Sequence, residues 1–254
     1  MDAILLAGGV PTPDAPLYPY TNGKPKAAIQ IGEKSMIQWV LDCLEESPSI
    51  DGIVIVGDEI IHKDLHSSKI LAVQPAEGDI ISNFQMGADA LLANKPGAIR
   101  AALVSCDIPL ITVESVEWMI GTSLETDEDL YYPVIEQSQM EKRFPDSARS
   151  YVKLRDMNVC GGDLIVVKLD LYKTRKDFWR KIFEARKTHF RQARLIGFDI
   201  LLLLFLRRLS LADAVGKVTR RLDITGQGLL CPYPEIGMDI DKPHQLEIAR
   251  RELS

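Results

Sequence analysis

The chain has 254 residues, with 30 basic and 36 acidic side chains that give a formal net charge of −6 at pH 7. Hydrophobic residues make up 46% and charged residues 26%, which is typical of a folded globular protein and excludes a disordered, collagen-like or disulfide-framework chain. The acidic balance argues against a general nucleic-acid-binding protein, because such a protein carries a basic surface.

The cysteines and histidines give little support for a zinc site. The chain contains 4 cysteines and 4 histidines, and no two cysteines have the C-x-x-C spacing of zinc ligands. We therefore expect reduced, mostly buried thiols. The apolar run at the N-terminus ends at Gly8, too early for a signal peptide, so the sequence predicts a cytoplasmic protein.

Strand and helix patterns alternate along most of the chain. Helices are predicted at 36–44, after a capping Ser35, at 79–93 and at 113–120. The alternation predicts an α/β fold with a mostly parallel, Rossmann-like sheet flanked by helices and right-handed crossovers. Short apolar runs predict strands at 3–6, 53–56, 70–73, 101–105, 131–135 and 164–167.

The pattern changes after residue 168. We interpret 1–168 and 222–254 as one α/β domain and 169–221 as a helical insertion. The insertion has a segment rich in Lys and Arg, and then a run at 195–206 that is apolar except for Asp199. That run is shorter than the roughly 20 apolar residues that cross a bilayer. We predict a buried helix there, with contact to an anionic membrane surface as the less favoured alternative.

A glycine pair and two lysines suggest a phosphate site. Leu6-Ala7-Gly8-Gly9 directly follows the first predicted strand, and glycines there let backbone amides approach a phosphate or a base. Lys24 and Lys26 flank Pro25 and could neutralise a triphosphate. A tight βα turn and a solvated loop are the structural alternatives.

Together with Ile31-Gly-Glu-Lys-Ser-Met-Ile-Gln-Trp-Val-Leu, these motifs resemble the opening of nucleotidyltransferases with a GT-A-like fold. That group includes sugar-phosphate, methylerythritol-phosphate and molybdenum-cofactor nucleotidyltransferases. The chain is most similar to the NTP-transferase domain of the molybdopterin guanylyltransferase kind, over about 1–168 and 229–253. The resemblance implies transfer of a nucleoside monophosphate from an NTP to a phosphorylated small molecule, with Mg²⁺ as cofactor. It places nucleotide contacts at Leu6, Ala7, Gly8, Gly9, Lys24 and Lys26.

Three aspartates are candidates for the metal. Asp107 follows a predicted strand, so its carboxylate lies at the edge where open α/β sheets bind ligands, and Mg²⁺ prefers carboxylate oxygens. The resemblance makes Asp107 a catalytic metal ligand and Lys26 a catalytic residue that stabilises the departing pyrophosphate, and it takes the second metal ligand from Asp239 or Asp241. The alternatives are turn capping by Asp107 and capping of the last helix by Asp241.

Two further regions carry weaker signals. Asn83 is our candidate for base or ribose contact, although capping of the helix by Asp79 or Ser82 explains the same stretch. On the acceptor side the resemblance selects Lys153, Gly161 and Gly162.

One departure from the family concerns phosphate binding. Many relatives have an arginine after the first glycine turn, whereas residues 10–22 here contain no Arg or Lys. The negative charge of the triphosphate would then be neutralised by Lys24, Lys26, backbone amides and metal. The alternative functions are a catalytically degenerate relative and a membrane-peripheral binding protein. The expected partners are an NTP and a phosphorylated acceptor, without nucleic acid, and a homodimer is left open.

Overall fold

A computed structural model describes residues 1–62, 65–171 and 198–253. The strands are β1 (Asp2–Ala7), β2 (Gln30–Ile31), β3 (Lys34–Ser35), β4 (Gly52–Gly57), β5 (Ile70–Pro75), β6 (Arg100–Ser105), β7 (Leu130–Glu136), β8 (Val152–Lys153), β9 (Asn158–Gly161), β10 (Leu164–Lys168) and β11 (Gly226–Leu230). The helices are α1 (Tyr18–Thr21), α2 (Met36–Glu46), α3 (Glu59–His62), α4 (Ile80–Asn94), α5 (Val113–Ser123), α6 (Gln137–Arg143), α7 (Phe198–Phe205), α8 (Leu211–Leu222) and α9 (Pro243–Leu253).

The main sheet has the strand order β5-β4-β1-β6-β10-β7-β9-β8, and β11 pairs with β7. Strands β5, β4, β1 and β6 are parallel to one another, while β10 runs antiparallel to both β6 and β7. The predicted α/β class with a mostly parallel sheet is therefore confirmed. Because β1 and β6 are adjacent and parallel, the residues that follow them meet at one edge of the sheet.

Helices cover both faces of the sheet. Side chains of β1 alternate between two buried clusters, with Leu5 facing the cluster that contains α2 and α5, and Ile4 facing the cluster that contains α4. This double burial explains why the first strand is apolar at every position except Asp2. All four cysteines are buried free thiols, as predicted.

The predicted strands and helices of the α/β part agree with the structure, with ends that differ by a few residues. Capping was only partly predicted. Asp79 caps α4 by accepting hydrogen bonds from the backbone nitrogens of Ile81 and Ser82. Ser35 precedes α2, but its side chain makes no capping hydrogen bond, so that detail of the prediction was wrong.

The predicted helical insertion is described only in part, since residues 172–197 lie outside the described residues. The Ser210 side chain forms a capping box with Asp213 at the start of α8. The prediction of a buried helix at 195–206 was only partly correct for the described side chains, because Ile200 is buried whereas Leu202 and Phe205 are 57% and 83% exposed. Among the described elements, α7 packs mainly against α8 and β8. Within the described ranges, no helix combines the length and apolarity needed to cross a membrane.

Candidate active site

The glycine turn lies at the carboxyl end of β1, beside the end of β6. A Cβ on Gly8 would lie 2.5 Å from the Ala76 Cβ and 2.8 Å from the Asn83 Nδ2, so only glycine fits without a shift of its neighbours. Asn83 is buried, and its Oδ1 accepts a hydrogen bond of 2.7 Å from the backbone nitrogen of Glu77. Asn83 therefore holds the turn before α4 against the glycine turn, and its contact with a base stays a prediction.

Lys26 joins the glycine turn to two carboxylates. Its backbone nitrogen donates to the Gly9 carbonyl oxygen at 2.9 Å. Its Nζ lies 2.7 Å from Asp107 Oδ2 and 2.6 Å from Asp241 Oδ1. We call Lys26, Asp107 and Asp241 the lysine–carboxylate cluster. By contrast, Lys24 is exposed and forms no ion pair with the described residues.

The electrostatics of the cluster keep Lys26 charged. Burial of its side chain by itself disfavours the ammonium form, but attraction by Asp107 and Asp241 outweighs burial and raises the pKa of Lys26. Lys26 therefore keeps its positive charge beside the glycine turn, where that charge is paired with the two carboxylates.

The segment 239–241 returns the chain to this edge of the sheet, because the Ile240 backbone nitrogen donates to the Asp107 carbonyl oxygen at 2.9 Å. The two aspartates of the segment have different partners. Asp241 contacts Lys26, whereas Asp239 forms an ion pair with Arg149. Asp241 thus reaches the cluster.

Asp241 was also a candidate for capping the last helix. The side chain that accepts from the backbone nitrogens of Asp241 and Lys242 is that of Gln245, at 2.9 Å in both cases. The Asp241 carboxylate is instead directed to Lys26, which leaves it beside Asp107.

Asp163 is a further charged residue that the sequence prediction missed. Its carbonyl oxygen accepts from the Ser105 backbone nitrogen at 2.9 Å, which places it beside the end of β6. Burial and repulsion by the carboxylates of Asp107 and Asp241 raise the pKa of Asp163 to about 7. The antiparallel direction of β10 causes this proximity, because the start of an antiparallel strand meets the end of β6.

The donor set suits a hard cation. Asp107 Oδ1 is buried and has no hydrogen-bond partner among the described residues, so one carboxylate oxygen is left for another ligand. The described residues contain no group of three or more His, Cys, Asp or Glu side chains able to hold a metal by themselves. Mg²⁺ fits this situation, since it is commonly held by one or two carboxylates together with substrate phosphates and water.

The predicted acceptor residues lie in and after β8 and β9. Lys153 is exposed, and its side chain makes no ion pair or hydrogen bond with the described residues. Gly161 lies against the Tyr132 ring, and a Cβ on Gly162 would lie 2.6 Å from Ile236 Cγ2, so packing alone explains both glycines.

One cavity of the molecule lies away from this chemistry. It has a volume of about 520 Å³, lies beside α2, and is lined by Lys34, Gln38 and Asp42 among others. Lys34 Nζ and Gln38 Nε2 both already contact Asp42, at 2.7 and 2.5 Å, so these groups satisfy one another. The lysine–carboxylate cluster is the better candidate because it retains an unused carboxylate oxygen.

Comparison with known proteins identifies the family of this chain. Residues 3–144 match the family described as the MobA-like NTP transferase domain. The chain belongs to this family. The resemblance noted in the sequence is therefore confirmed, and the chain is a nucleotidyltransferase. A search of curated proteins gives no significant match.

Solved structures agree with the fold of this MobA-like NTP transferase. A hypothetical transferase from Thermus thermophilus is 28% identical, with a TM-score of 0.82 over 96% of this chain and 98% of that chain. The 4-diphosphocytidyl-2C-methyl-D-erythritol synthase of Anaerococcus prevotii is 15% identical, with a TM-score of 0.60 over 99% and 95% of the two chains. The 2-C-methyl-D-erythritol 4-phosphate cytidylyltransferase of Francisella tularensis is 11% identical, with a TM-score of 0.58 over both whole chains.

The family match covers only part of the candidate site of this MobA-like NTP transferase. Gly8, Lys26, Asn83 and Asp107 lie inside residues 3–144, whereas the 239–241 segment and the acceptor side lie outside. Arg149 is the second residue that the sequence prediction did not select. Arg149 lies four positions before Lys153, but its partner Asp239 is 90 positions away, and only the fold brings them together.

Proposed function

We propose that the chain transfers a nucleoside monophosphate from an NTP to a phosphorylated small-molecule acceptor, with release of pyrophosphate, in a Mg²⁺-dependent reaction. One observation carries the proposal: Lys26, bound to the glycine turn, links the carboxylates of Asp107 and Asp241 at one edge of the sheet. This edge is where α/β sheets bind nucleotides.

The donor half of the site accounts for the NTP. Backbone amides in the turn from Leu6 to Gly9 approach the phosphates, and the charges of Lys24 and Lys26 neutralise them. Asn83, which already packs against Gly8, lies beside this turn and contacts the base or ribose.

Asp107 and Asp241 are the proposed metal ligands, because they share one neighbour and Asp107 has a free buried oxygen. Asp239, the third predicted ligand, is held by Arg149 and is left out of the proposed set. When bound, Mg²⁺ supplies positive charge to the phosphate oxygens of the donor.

The reaction itself needs positioning and electrostatics. An acceptor phosphate oxygen attacks the α-phosphorus in line, a new P–O bond forms, and the bond to the bridging α–β oxygen breaks so that pyrophosphate leaves. A phosphate acceptor is ionised at neutral pH, so no general base is required. Lys26 stabilises the charge on the departing pyrophosphate. Lys153, with the backbone at Gly161 and Gly162, holds the acceptor.

The phosphorylated class of acceptor rests on the resemblance and on the names of structural neighbours. One neighbour is named as a cytidylyltransferase of 2-C-methyl-D-erythritol 4-phosphate, an acceptor that carries a phosphate. The exposed Lys153 provides a charge suited to such a group.

The test is pyrophosphate release from each of ATP, CTP, GTP and UTP with a panel of phosphorylated small molecules. We expect release with one NTP, and a fall of about 10²- to 10³-fold in Asp107→Asn and in Lys26→Met. Glu125→Gln and Lys142→Met, at exposed positions, are the matched controls and should retain the wild-type rate. Equal rates in the two site variants and wild type would refute the assignment of the site. NTP binding without any release would favour the degenerate relative.

A second candidate function follows from the exposed face of α7. Leu202, Phe205 and Leu206 are exposed there, after a stretch of sequence rich in Lys and Arg. Such a combination is typical of contact with an anionic lipid surface. We expect co-sedimentation with phosphatidylglycerol vesicles that is lost in Phe205→Ser and retained in Leu124→Ser, an exposed leucine elsewhere. Failure to bind vesicles at low salt would dismiss this function.

The cytoplasmic location stays a prediction, and a homodimer is left open.

A further inference from the structure

The loop before β8 is tied to the segment that carries Asp241. Gln245 Nε2 donates to the Ser147 carbonyl oxygen at 3.2 Å, and the Arg149 guanidinium forms an ion pair with Asp239. Ser147 and Gln245 are almost fully buried. We call these two contacts, Gln245–Ser147 and Arg149–Asp239, the acceptor-side tie.

The same segment reaches the lysine–carboxylate cluster. The Gln245 carboxamide uses its other end to accept from the Asp241 backbone nitrogen at 2.9 Å. The Ile240 backbone nitrogen donates to the Asp107 carbonyl oxygen at 2.9 Å. The backbone on each side of Asp241 is therefore fixed, on one side by Asp239 and Ile240 and on the other by Gln245.

The backbone of the loop supports a specific role for this tie. Ala148 lies between the two anchored residues and has a φ of 46°, in the left-handed region that a residue with a Cβ disfavours. Such a conformation persists only where surrounding contacts hold it. Here the contacts of Ser147 and Arg149 do so, and they present the Arg149 side chain to Asp239.

Resting on the proposed function, we propose that Arg149 is a positioning residue for the metal–nucleotide complex. The Arg149 side chain binds the Asp239 carboxylate and so fixes the backbone that follows Asp239. That backbone in turn positions the Asp241 carboxylate beside Asp107. The loop on the acceptor side thus controls how well the donor half of the site binds the metal-bound NTP. Residues that orient metal ligands commonly change metal affinity by about 10- to 100-fold when they are removed.

A direct contact between Arg149 and the acceptor phosphate is the competing explanation. In that case Arg149 would act without Asp239, and donor binding would not depend on it. If the ion pair were purely structural, its removal would lower the melting temperature and leave the effect of metal on NTP affinity unchanged. The three roles therefore separate by donor affinity measured without any acceptor.

The experiment uses the full chain and measures the dissociation constants of ATP, CTP, GTP and UTP by calorimetry, each with and without Mn²⁺. The proteins are wild type, Arg149→Met, Asp239→Asn and the double variant, with Arg149→Lys as a milder change if the methionine variant folds poorly. Arg143→Met is the matched control, because Arg143 is paired with Glu235 and Glu252 and not with the Asp241 segment.

We expect Mn²⁺ to tighten binding of one NTP to wild type and to the Arg143 variant. In both single variants the affinity for that NTP with Mn²⁺ falls by about 10-fold, with the metal-free affinity unchanged. The double variant loses no more than either single variant, because the two residues act in one chain of contacts.

Two results would overturn the positioning role while leaving the proposed function intact. One is wild-type affinity for the Mn²⁺–NTP complex in both single variants, and the other is a loss in the double variant equal to the sum of the separate losses. If Mn²⁺ tightens no NTP even on wild type, the proposed function fails and the positioning role fails with it.

Discussion

Replacement of Asp163 by asparagine is expected to stabilise the protein above neutral pH. Burial, together with the charges of Asp107 and Asp241, raises the pKa of Asp163 to about 7, from an ordinary value of 3.8. Between these two values the folded state binds the proton more tightly than the unfolded state does. The free energy of unfolding therefore falls as pH rises through this window. Asparagine cannot ionise, so the variant escapes that loss.

The size of the effect follows from the shift. A rise of roughly three pKa units, at about 1.4 kcal/mol per unit, corresponds to about 4 kcal/mol at pH 8. For a chain of this size each kcal/mol moves the melting temperature by roughly 2–4 °C, so the variant should melt about 10 °C higher than wild type at pH 8. The difference should be near zero at pH 4, grow up to about pH 7 and then level off.

The assay is thermal and urea unfolding of both proteins in EDTA, from pH 4 to pH 8. Asp129→Asn is a control of opposite sign. Burial of Asp129 would raise its pKa, but hydrogen bonds from Thr225 and Lys168 outweigh burial and lower it. Stability from Asp129 is thus present at neutral pH and lost as pH falls, so its asparagine variant should be the less stable protein at pH 7. Identical pH profiles for Asp163→Asn and wild type would refute the reasoning, because Asp163 would then carry no electrostatic strain.

Two further predictions concern the glycine turn and a helix cap. Gly8→Ala should lower the free energy of unfolding in urea by about 1–3 kcal/mol, since its Cβ would lie 2.5 Å from the Ala76 Cβ. Gly9→Ala should cost less, because the space around a Cβ at Gly9 is open. Equal losses in the two variants would contradict the packing argument. Ser210→Ala should lower the free energy of unfolding by about 1 kcal/mol, because it removes the capping box of α8. Ser35→Ala removes no cap and should change stability by much less. The reverse order in thermal unfolding would show that the caps are assigned wrongly.

Much of the fold could be predicted from the sequence because the pattern is local. The strands buried on both faces form continuous apolar runs, and helices show apolar residues at helical spacing. Gly8 directly follows one such strand and Asp107 lies two residues after another, so their place at the edge of a parallel sheet could also be predicted.

The rest of the site depends on long-range geometry. Asp163 reaches the cluster because β10 is antiparallel to β6, and the sequence pattern alone does not set strand direction. Arg149 meets Asp239 only after the loop before β8 and the segment before α9 are folded together. The exposure of Phe205 was missed for a similar reason, since an apolar run in the sequence does not show which other elements pack against it.

Binding of a Mg²⁺–NTP complex at Asp107 can be tested by a thermal-shift measurement with each of the four NTPs, with and without Mg²⁺. A ligand that binds the folded state raises its stability by mass action, by about 2.7 kcal/mol at a concentration 100 times its dissociation constant. We expect a Mg²⁺-dependent rise in melting temperature with one NTP, and no such rise in Asp107→Ala. A melting temperature that no NTP changes, or an equal Mg²⁺-dependent rise in Asp107→Ala, would contradict this expectation.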